Sequence, residues 1–283
     1  MFQKVALSVL IPTKNEERNL PACLEAIMDW ADEILIVDSG STDKTLNIAL
    51  NADIKTIHFE YKGGWPKKRQ WTLNNYSFRN NWILLLDADE ILLPEIKKEI
   101  EIAIRNENIN GYSILLQMEF LGKKLKFAYP GLRKFSLFRK GKARFEKRLE
   151  NQDNSMADIE IHEHLVIEGK LGEIKSPILH RNFNSLSRYI IKHNEYSNWE
   201  AAILQFGNEY ELPASIFGNQ AQKRRWLKKK LYLLPGISLI YFLFHYFFRL
   251  GFLDGKAGFY YCLFQSIQII NVKAKIFESK LSN

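Results

Sequence analysis

Trp82-Ile83-Leu84-Leu85-Leu86-Asp87-Ala88-Asp89-Glu90 is the stretch that decides how this chain folds. An apolar run ends in three carboxylates within four positions. An unbroken run of this kind suits a strand buried on both faces, as in a parallel sheet. Asp87 and Asp89 then fall at the C-terminal end of the strand, the edge where ligands bind in open α/β sheets. Two carboxylates crowded there repel each other unless positive charge lies between them. A hard divalent cation, Mg2+ or Mn2+, meets that need, because such ions take carboxylate oxygens and bridge to phosphates. A short D-x-D also arises as a strand followed by a solvated polar turn, so the remainder of the chain has to separate the two.

Upstream, Val5–Ile11 forms a second apolar run, followed by Pro12-Thr13-Lys14-Asn15-Glu16-Glu17. Leu20, Cys23, Leu24 and Ile27 then recur at helical spacing, with Pro21 suited to a first turn. Ile34–Val37 predicts another strand, ending in Asp38, and Ser39-Gly40-Ser41-Thr42-Asp43 a turn that can cap the next helix, around 46–50. A short strand is expected at 54–57. Strand, helix, strand, helix, strand is the pattern of a right-handed parallel arrangement. Gly63–Gln70 contains two glycines and the cations Lys67, Lys68 and Arg69 ahead of a helix at 71–76. Such a loop can meet a diphosphate or simply be solvated.

Downstream of Pro94 a helix is expected to about 108. Residues 111–120 and 133–139 predict an antiparallel extension with a hairpin turn near Gly122, and 141–158 an irregular stretch. The alternation of 159–166 suits a half-buried strand, and 178–181 a short one. From Ser187 the spacing turns helical, with Tyr189, Ile190, His193, Tyr196, Trp199 and Ile203 on the inner face.

The chain has 283 residues and a net charge of +8, and the charge is uneven. Residues 223–283 carry 11 Lys and Arg against 2 Asp and Glu, whereas 1–222 carries 29 against 30. Two domains are therefore expected: a catalytic one at 1–222 and a basic, apolar helical tail at 223–283. In the tail, Lys223-Arg224-Arg225 and Lys228-Lys229-Lys230 precede the apolar segments 237–248 and 257–272. Both are short for a membrane span, which needs about 20 residues. Cations beside aromatic-rich helices suit an anionic bilayer surface; packing onto the catalytic domain, or homo-oligomer formation, would use the same faces. No nucleic-acid partner is expected, since no binding motif is present. The two cysteines, Cys23 and Cys262, suggest no disulfide framework. No signal peptide is expected at the N-terminus.

Three predicted strand ends thus bring polar groups to one edge: Pro12–Glu17, Asp38, and Asp87 with Asp89. In Ile11–Glu17, Ile36–Asp43 and Leu86–Glu90 the sequence resembles the family 2 glycosyltransferases of the GT-A fold. Ile161-His162-Glu163, Leu179-His180 and Gly251–Gly258 are similar to the branch containing lipopolysaccharide-core β-glucosyltransferases. The resemblance implies a Rossmann-like, mostly parallel nucleotide-binding sheet flanked by helices. It also implies an inverting transfer from a nucleotide-sugar donor, a UDP-sugar first, to a lipid-linked or lipopolysaccharide acceptor. The expected place is the cytoplasmic face of the inner membrane, peripheral or monotopic.

Carried over residue by residue, Thr13, Glu17 and Asp38 would hold base and ribose, with Pro12 and Asn15 in the same loop. Arg69 and Lys68 would approach the nucleotide, and Ala88 would let backbone and sugar come close. Asp89 would ligate the cation, with Asp87 beside ribose or metal and His180 as a third contact. A core histidine with satisfied nitrogens is an equal account of His180. Glu163 would take the acceptor's proton, with Glu160 and Asp158 as rivals. A nucleotidyltransferase shares the sheet and metal chemistry, but it normally has a Gly-rich phosphate loop where this chain has Pro-Thr-Lys-Asn-Glu-Glu. A protein or peptide acceptor and a non-catalytic carbohydrate-binding role are the remaining alternatives.

Overall fold

The computed structural model describes residues 4–148, 164–181, 183, 185–207, 213–218, 220–232 and 234–281. It divides into two compact units that interleave along the chain. The first comprises Met1–Gln117, Leu132–Phe145 and Glu163–Asn182; the second comprises Met118–Gly131, Glu146–His162 and Phe183–Asn283. This division does not coincide with the expected boundary at 222/223.

The chain opens as β1 (Val5–Thr13), α1 (Leu20–Glu25), β2 (Ala31–Asp38), α2 (Thr45–Asn51), β3 (Lys55–His58), α3 (Lys68–Asn75) and β4 (Trp82–Leu85). It continues as β5 (Glu90–Ile91), α4 (Pro94–Ala103), β6 (Gly111–Phe120), β7 (Lys123–Lys124) and β8 (Leu132–Arg139). Then follow β9 (Ala143–Phe145), β10 (Leu165–Ile167) and β11 (Leu171–His180). The main sheet has the order β3-β2-β1-β4-β8-β6-β11-β5. The strands β3, β2, β1 and β4 run parallel. From β4 the sheet is continued by antiparallel β8 and β6, as the extension at 111–139 anticipates. β9 and β10 form a separate two-stranded sheet.

Apolar runs in β1 and β4 are buried on both faces because α1, α2 and α4 cover one side and α3, β9, β10 and loop aromatic residues the other. Leu7, Val9, Ile11 and Leu84 join α1 and α4 in one core cluster. Leu10, Ile83 and Leu85 join Phe59, Phe78 and Phe138 in the other. Cutting a buried side chain such as Leu84 back to Ala costs about 2–5 kcal/mol. α4 buries Ile96, Ile100 and Ala103, one face of a helix that begins on Pro94. It stops short of the expected 108 because Asn106 turns the chain, its side chain accepting from the Asn108 amide at 3.0 Å. The predicted hairpin joins β6 to β7 through Leu121 and Gly122, at φ 49° and 71°. Two positive φ values are what a two-residue turn of matching twist requires.

In the second unit, α5 (Leu186–Phe206) packs on α8 (Gly255–Leu281). This is why α5 groups with the tail. Its Tyr189, Trp199 and Ile203 are buried as expected, but Ile190 is exposed. α6 (Gln220–Leu231) is held by Arg225 on Glu146 and by Lys228 on Glu200. α7 (Ile237–Leu243) runs into a π-helical turn, Phe244–Phe248, and after a break a 3-10 turn, Gly251–Asp254, leads into α8. Asp254 accepts backbone N–H bonds from Lys126, Phe127 and Ala128 at 2.9–3.2 Å. Both cysteines are free and buried.

Candidate active site

The site lies in the first unit, at the C-terminal edge of β1, β2 and β4, where β1 has β2 on one side and β4 on the other. In open α/β sheets such a point leaves a crevice for a ligand. Parallel pairing puts Thr13 opposite Asp38. Thr13 Oγ1 donates to Asp38 Oδ1 at 2.9 Å. Asp38 also accepts from the Gly40 amide at 2.9 Å, the Ser41 amide at 2.8 Å and the Ser41 hydroxyl at 2.5 Å. Burial pushes the carboxyl's pKa up, but the bonds from Ser41, Thr13 and Gly40 outweigh it and hold it below its ordinary value. The residue is 1% exposed, and its carboxylate turns into the Ser39–Thr42 loop. What it does in this structure is set the shape of that loop.

The loop after β1 is stitched to the loop after β2 by reciprocal bonds. Asn15, at φ 56°, donates its amide to Ser41 Oγ and accepts from the Thr42 amide through Oδ1, both at 2.8 Å. Asparagine tolerates this left-handed geometry better than most residues. Glu17 donates its amide to Asp43 at 3.1 Å and accepts from the Lys44 amide at 3.2 Å. Pro12, which lacks an N–H, sits half-buried opposite Val37.

A second polar cluster follows β4. Asp87 Oδ1 lies 2.6 Å from an Arg69 guanidinium nitrogen, and Oδ2 lies 2.9 Å from Lys134 Nζ. Lys134 also lies 2.6 Å from Glu90 Oε1, and the other Glu90 oxygen accepts from the Asp87 amide at 3.0 Å. Burial would raise the Asp87 pKa, yet Arg69 and Lys134 hold it well below the carboxylate range. Fully buried Glu90 goes the other way: burial and the Asp87 charge outweigh Lys134 and raise its pKa. Burial lowers the Lys134 pKa, but Asp87 and Glu90 more than restore it. Neither Lys134 nor Glu90 was singled out from the sequence. The available signal for Lys134 is a pair of cations, Arg133-Lys134, directly before the run Phe135-Ser136-Leu137-Phe138.

β5 and β11 pair antiparallel, with His180 opposite Glu90. This places His180 Nε2 3.3 Å from Asp89 Oδ2. Burial lowers the imidazole pKa, and Asp89 raises it by more. Asp89 and His180 are thus brought together, while Asp87 faces two cations. The trio Asp87, Asp89 and His180 is not assembled as one coordination sphere, because the Asp87 oxygens are already neutralised by Arg69 and Lys134. Among the described residues no three His, Cys, Asp or Glu side chains form a metal-binding group. Two protein ligands nonetheless suit Mg2+ or Mn2+, which keep waters and take further oxygens from substrate phosphates. Ala88 does not border the crevice: it is buried in the core cluster behind the strand. Glu163, with Glu160 and Asp158, lies outside the described residues.

Two consecutive residues at the start of α3 join the clusters. Lys68 Nζ donates to the Thr13 carbonyl and the Ser39 hydroxyl, both at 2.9 Å, and Arg69 holds Asp87. Lys14 adds a bond to the Ser39 carbonyl at 2.7 Å. Thr13 and Asp38, two of the groups expected at one edge, are thereby linked through Lys68 and Arg69 to Asp87, and Asp89 follows two residues later beside His180.

Residues 8–119 match the family model described as glycosyl transferase family 2. An uncharacterized glycosyltransferase of Rickettsia bellii is 27% identical over 201 residues, which cover 69% of this chain and 66% of that protein. The chain thus spans about two thirds of that relative's length. The lipopolysaccharide core biosynthesis glycosyltransferase LpsC of Rhizobium meliloti is 29% identical over 213 residues, covering 71% of this chain and 72% of LpsC. A crystal structure of glucosyl-3-phosphoglycerate synthase from Mycobacterium tuberculosis, in complex with Mn2+, UDP and phosphoglyceric acid, aligns with a TM-score of 0.32. It is 22% identical in sequence and covers 42% of this chain and 44% of the synthase.

Proposed function

We propose that this chain, whose residues 8–119 match the glycosyl transferase family 2 model, moves a sugar from a nucleoside-diphosphate donor to a lipid-linked or lipopolysaccharide-type acceptor. A UDP-hexose is the donor and the transfer inverts the anomeric centre. The observation that carries this is the junction at Lys68 and Arg69, which ties a preorganised loop floor to an acidic strand end. Support for the acceptor class comes from the likeness to LpsC. The place of action is the cytoplasmic face of the inner membrane.

In this account the 13–17 and 38–43 loops bind the nucleoside, with Asp38 fixing their shape. Lys68 and Arg69 supply positive charge where the diphosphate lies. Asp87, held by Arg69 and Lys134, keeps the Arg69 guanidinium in place and accepts from ribose hydroxyls. Asp89 and His180 would hold Mg2+ or Mn2+, and the ion would supply positive charge to offset that of the leaving nucleoside diphosphate. Glu163 takes the acceptor hydroxyl's proton as that oxygen attacks the sugar carbon and the bond to the diphosphate breaks.

A panel of nucleotide sugars incubated with the full chain, a lipopolysaccharide-core acceptor and Mn2+ tests this. Acceptor-dependent release of a nucleoside diphosphate from one donor is expected. Release of pyrophosphate from a sugar phosphate and a nucleoside triphosphate would instead indicate nucleotidyl transfer and overturn it.

A further inference from the structure

Among the described residues, no single helix is long and apolar enough to cross a membrane. One bent pair, Ile237–Phe248 with Gly251–Leu281, has the composition, with an angle of 73° at the break. The two sides of its first arm differ. Phe242 and Tyr246 stack on each other at 5.4 Å, and each meets Phe259 of α8 edge-on. This stripe is the hairpin's own core. The opposite stripe, Leu239, Ile240, Phe244, Phe247, Phe248 and then Phe252, is exposed, Phe247 by 53% and Phe248 by 80%. The spacing 240, 244, 248 is one helix face, so the exposed side chains adjoin one another. Scattered exposed apolar residues need no explanation, but a contiguous stripe of this size marks an interaction surface.

Glycine makes the bend possible. A Cβ on Gly258 would stand 2.1 Å from the Gly251 carbonyl oxygen, and one on Gly251 would stand 2.6 Å from that of His245. The turn therefore closes more tightly than any side chain allows. The exposed stripe runs along the first arm to this turn, which carries half-buried Arg249, with exposed Lys256 just beyond it. The apolar arm of 12 residues, Ile237–Phe248, is about 18 Å long at the helical rise. That is enough to enter one leaflet and short of the roughly 30 Å hydrocarbon core.

We propose that this bent aromatic hairpin inserts into a single leaflet of an anionic bilayer, while the exposed cations of α6, Lys223, Arg224 and Lys230, rest on lipid phosphates. Charge selects this occupant. Residues 223–283 carry 11 cationic side chains against 2 acidic ones, and with Arg225 and Lys228 paired to Glu146 and Glu200 a cationic excess remains, so two copies of this surface repel and a phospholipid surface attracts. The exposed stripe consists of Leu, Ile and Phe, side chains that bury into the boundary between headgroups and acyl chains.

Flotation of the purified full chain with phosphatidylcholine vesicles, with and without phosphatidylglycerol, tests this. The chain is expected to float with the mixed vesicles and to lose binding as salt rises. Phe247→Ser with Phe248→Ser, exposed positions that leave the helical circular dichroism spectrum unchanged, should weaken partitioning by about tenfold or more. Phe247→Leu with Phe248→Leu should retain it. Lys223→Glu with Lys230→Glu should remove the preference for phosphatidylglycerol. Binding unaffected by the serine pair overturns the proposal. So does a chain that ignores vesicles of both kinds and forms a concentration-dependent dimer that the serine pair dissolves.

Discussion

The Lys134 ammonium lies 2.9 Å from an oxygen of Asp87, although 47 residues separate the two in sequence. It touches fully buried Glu90 as well. One cation therefore lets two carboxylates sit at a buried strand end. Arg69 covers the other side of Asp87. The need for positive charge inferred from Asp87-Ala88-Asp89 is met at Asp87 by side chains.

Replacing Lys134 with Met leaves Glu90 buried without its cation. Breaking a buried pair from one side costs about 3 kcal/mol or more, and this should appear as a lower urea midpoint. The double variant Lys134→Met, Glu90→Gln should recover a substantial part of the loss. The coupling energy from the four proteins measures the pair.

Asp38 predicts a pH effect with a definite sign. Its folded pKa lies below its unfolded value of 3.8, so the charged carboxylate stabilises the fold at pH values above that and the contribution fades as pH falls through the folded pKa. Asp38→Asn should cost about 2 kcal/mol near neutrality, the scale of a charged hydrogen bond. Urea unfolding at a series of pH values should show wild type and variant converging below about pH 4.

Arg69→Lys keeps the charge and loses the planar fork. Lys68→Met removes the tie to Thr13 and Ser39. Each should raise the KM for the donor and lower kcat/KM by about tenfold or more, with the melting temperature showing how much of the loss is structural.

Glu163→Gln should reduce kcat by about 100-fold or more, the scale of a lost general base, with donor affinity unchanged in a binding titration. Unchanged turnover would remove the base from Glu163 and turn attention to Glu160 and Asp158.

Much of the first unit was legible because its signals are local. The apolar runs at 5–11 and 82–86, each ending in polar residues, gave the two central strands and the edge they share. Asp38 and Thr13 were placed at that edge by the same pattern. Lys134 was hidden because its reason for lying in a strand is two carboxylates far away in sequence. Glu90 reads in the sequence as the third acid after the apolar run, although it is fully buried. Ala88 shows the converse: a small residue between two acids invites a ligand on paper, yet its methyl packs into the core. The boundary at 222/223 followed charge, whereas packing follows the contact of α5 with α8. α5 has few charges to mark where it belongs.

Titration calorimetry of UDP into the full chain, with Mn2+ present, is the most direct test that the loops and the acidic strand end form one donor site. Wild type should bind, and Asp89→Asn should weaken binding by about tenfold or more, with most of the loss disappearing when Mn2+ is withheld from both proteins. Affinity that depends on neither Asp89 nor Mn2+, or no binding by a folded wild type, would contradict the account.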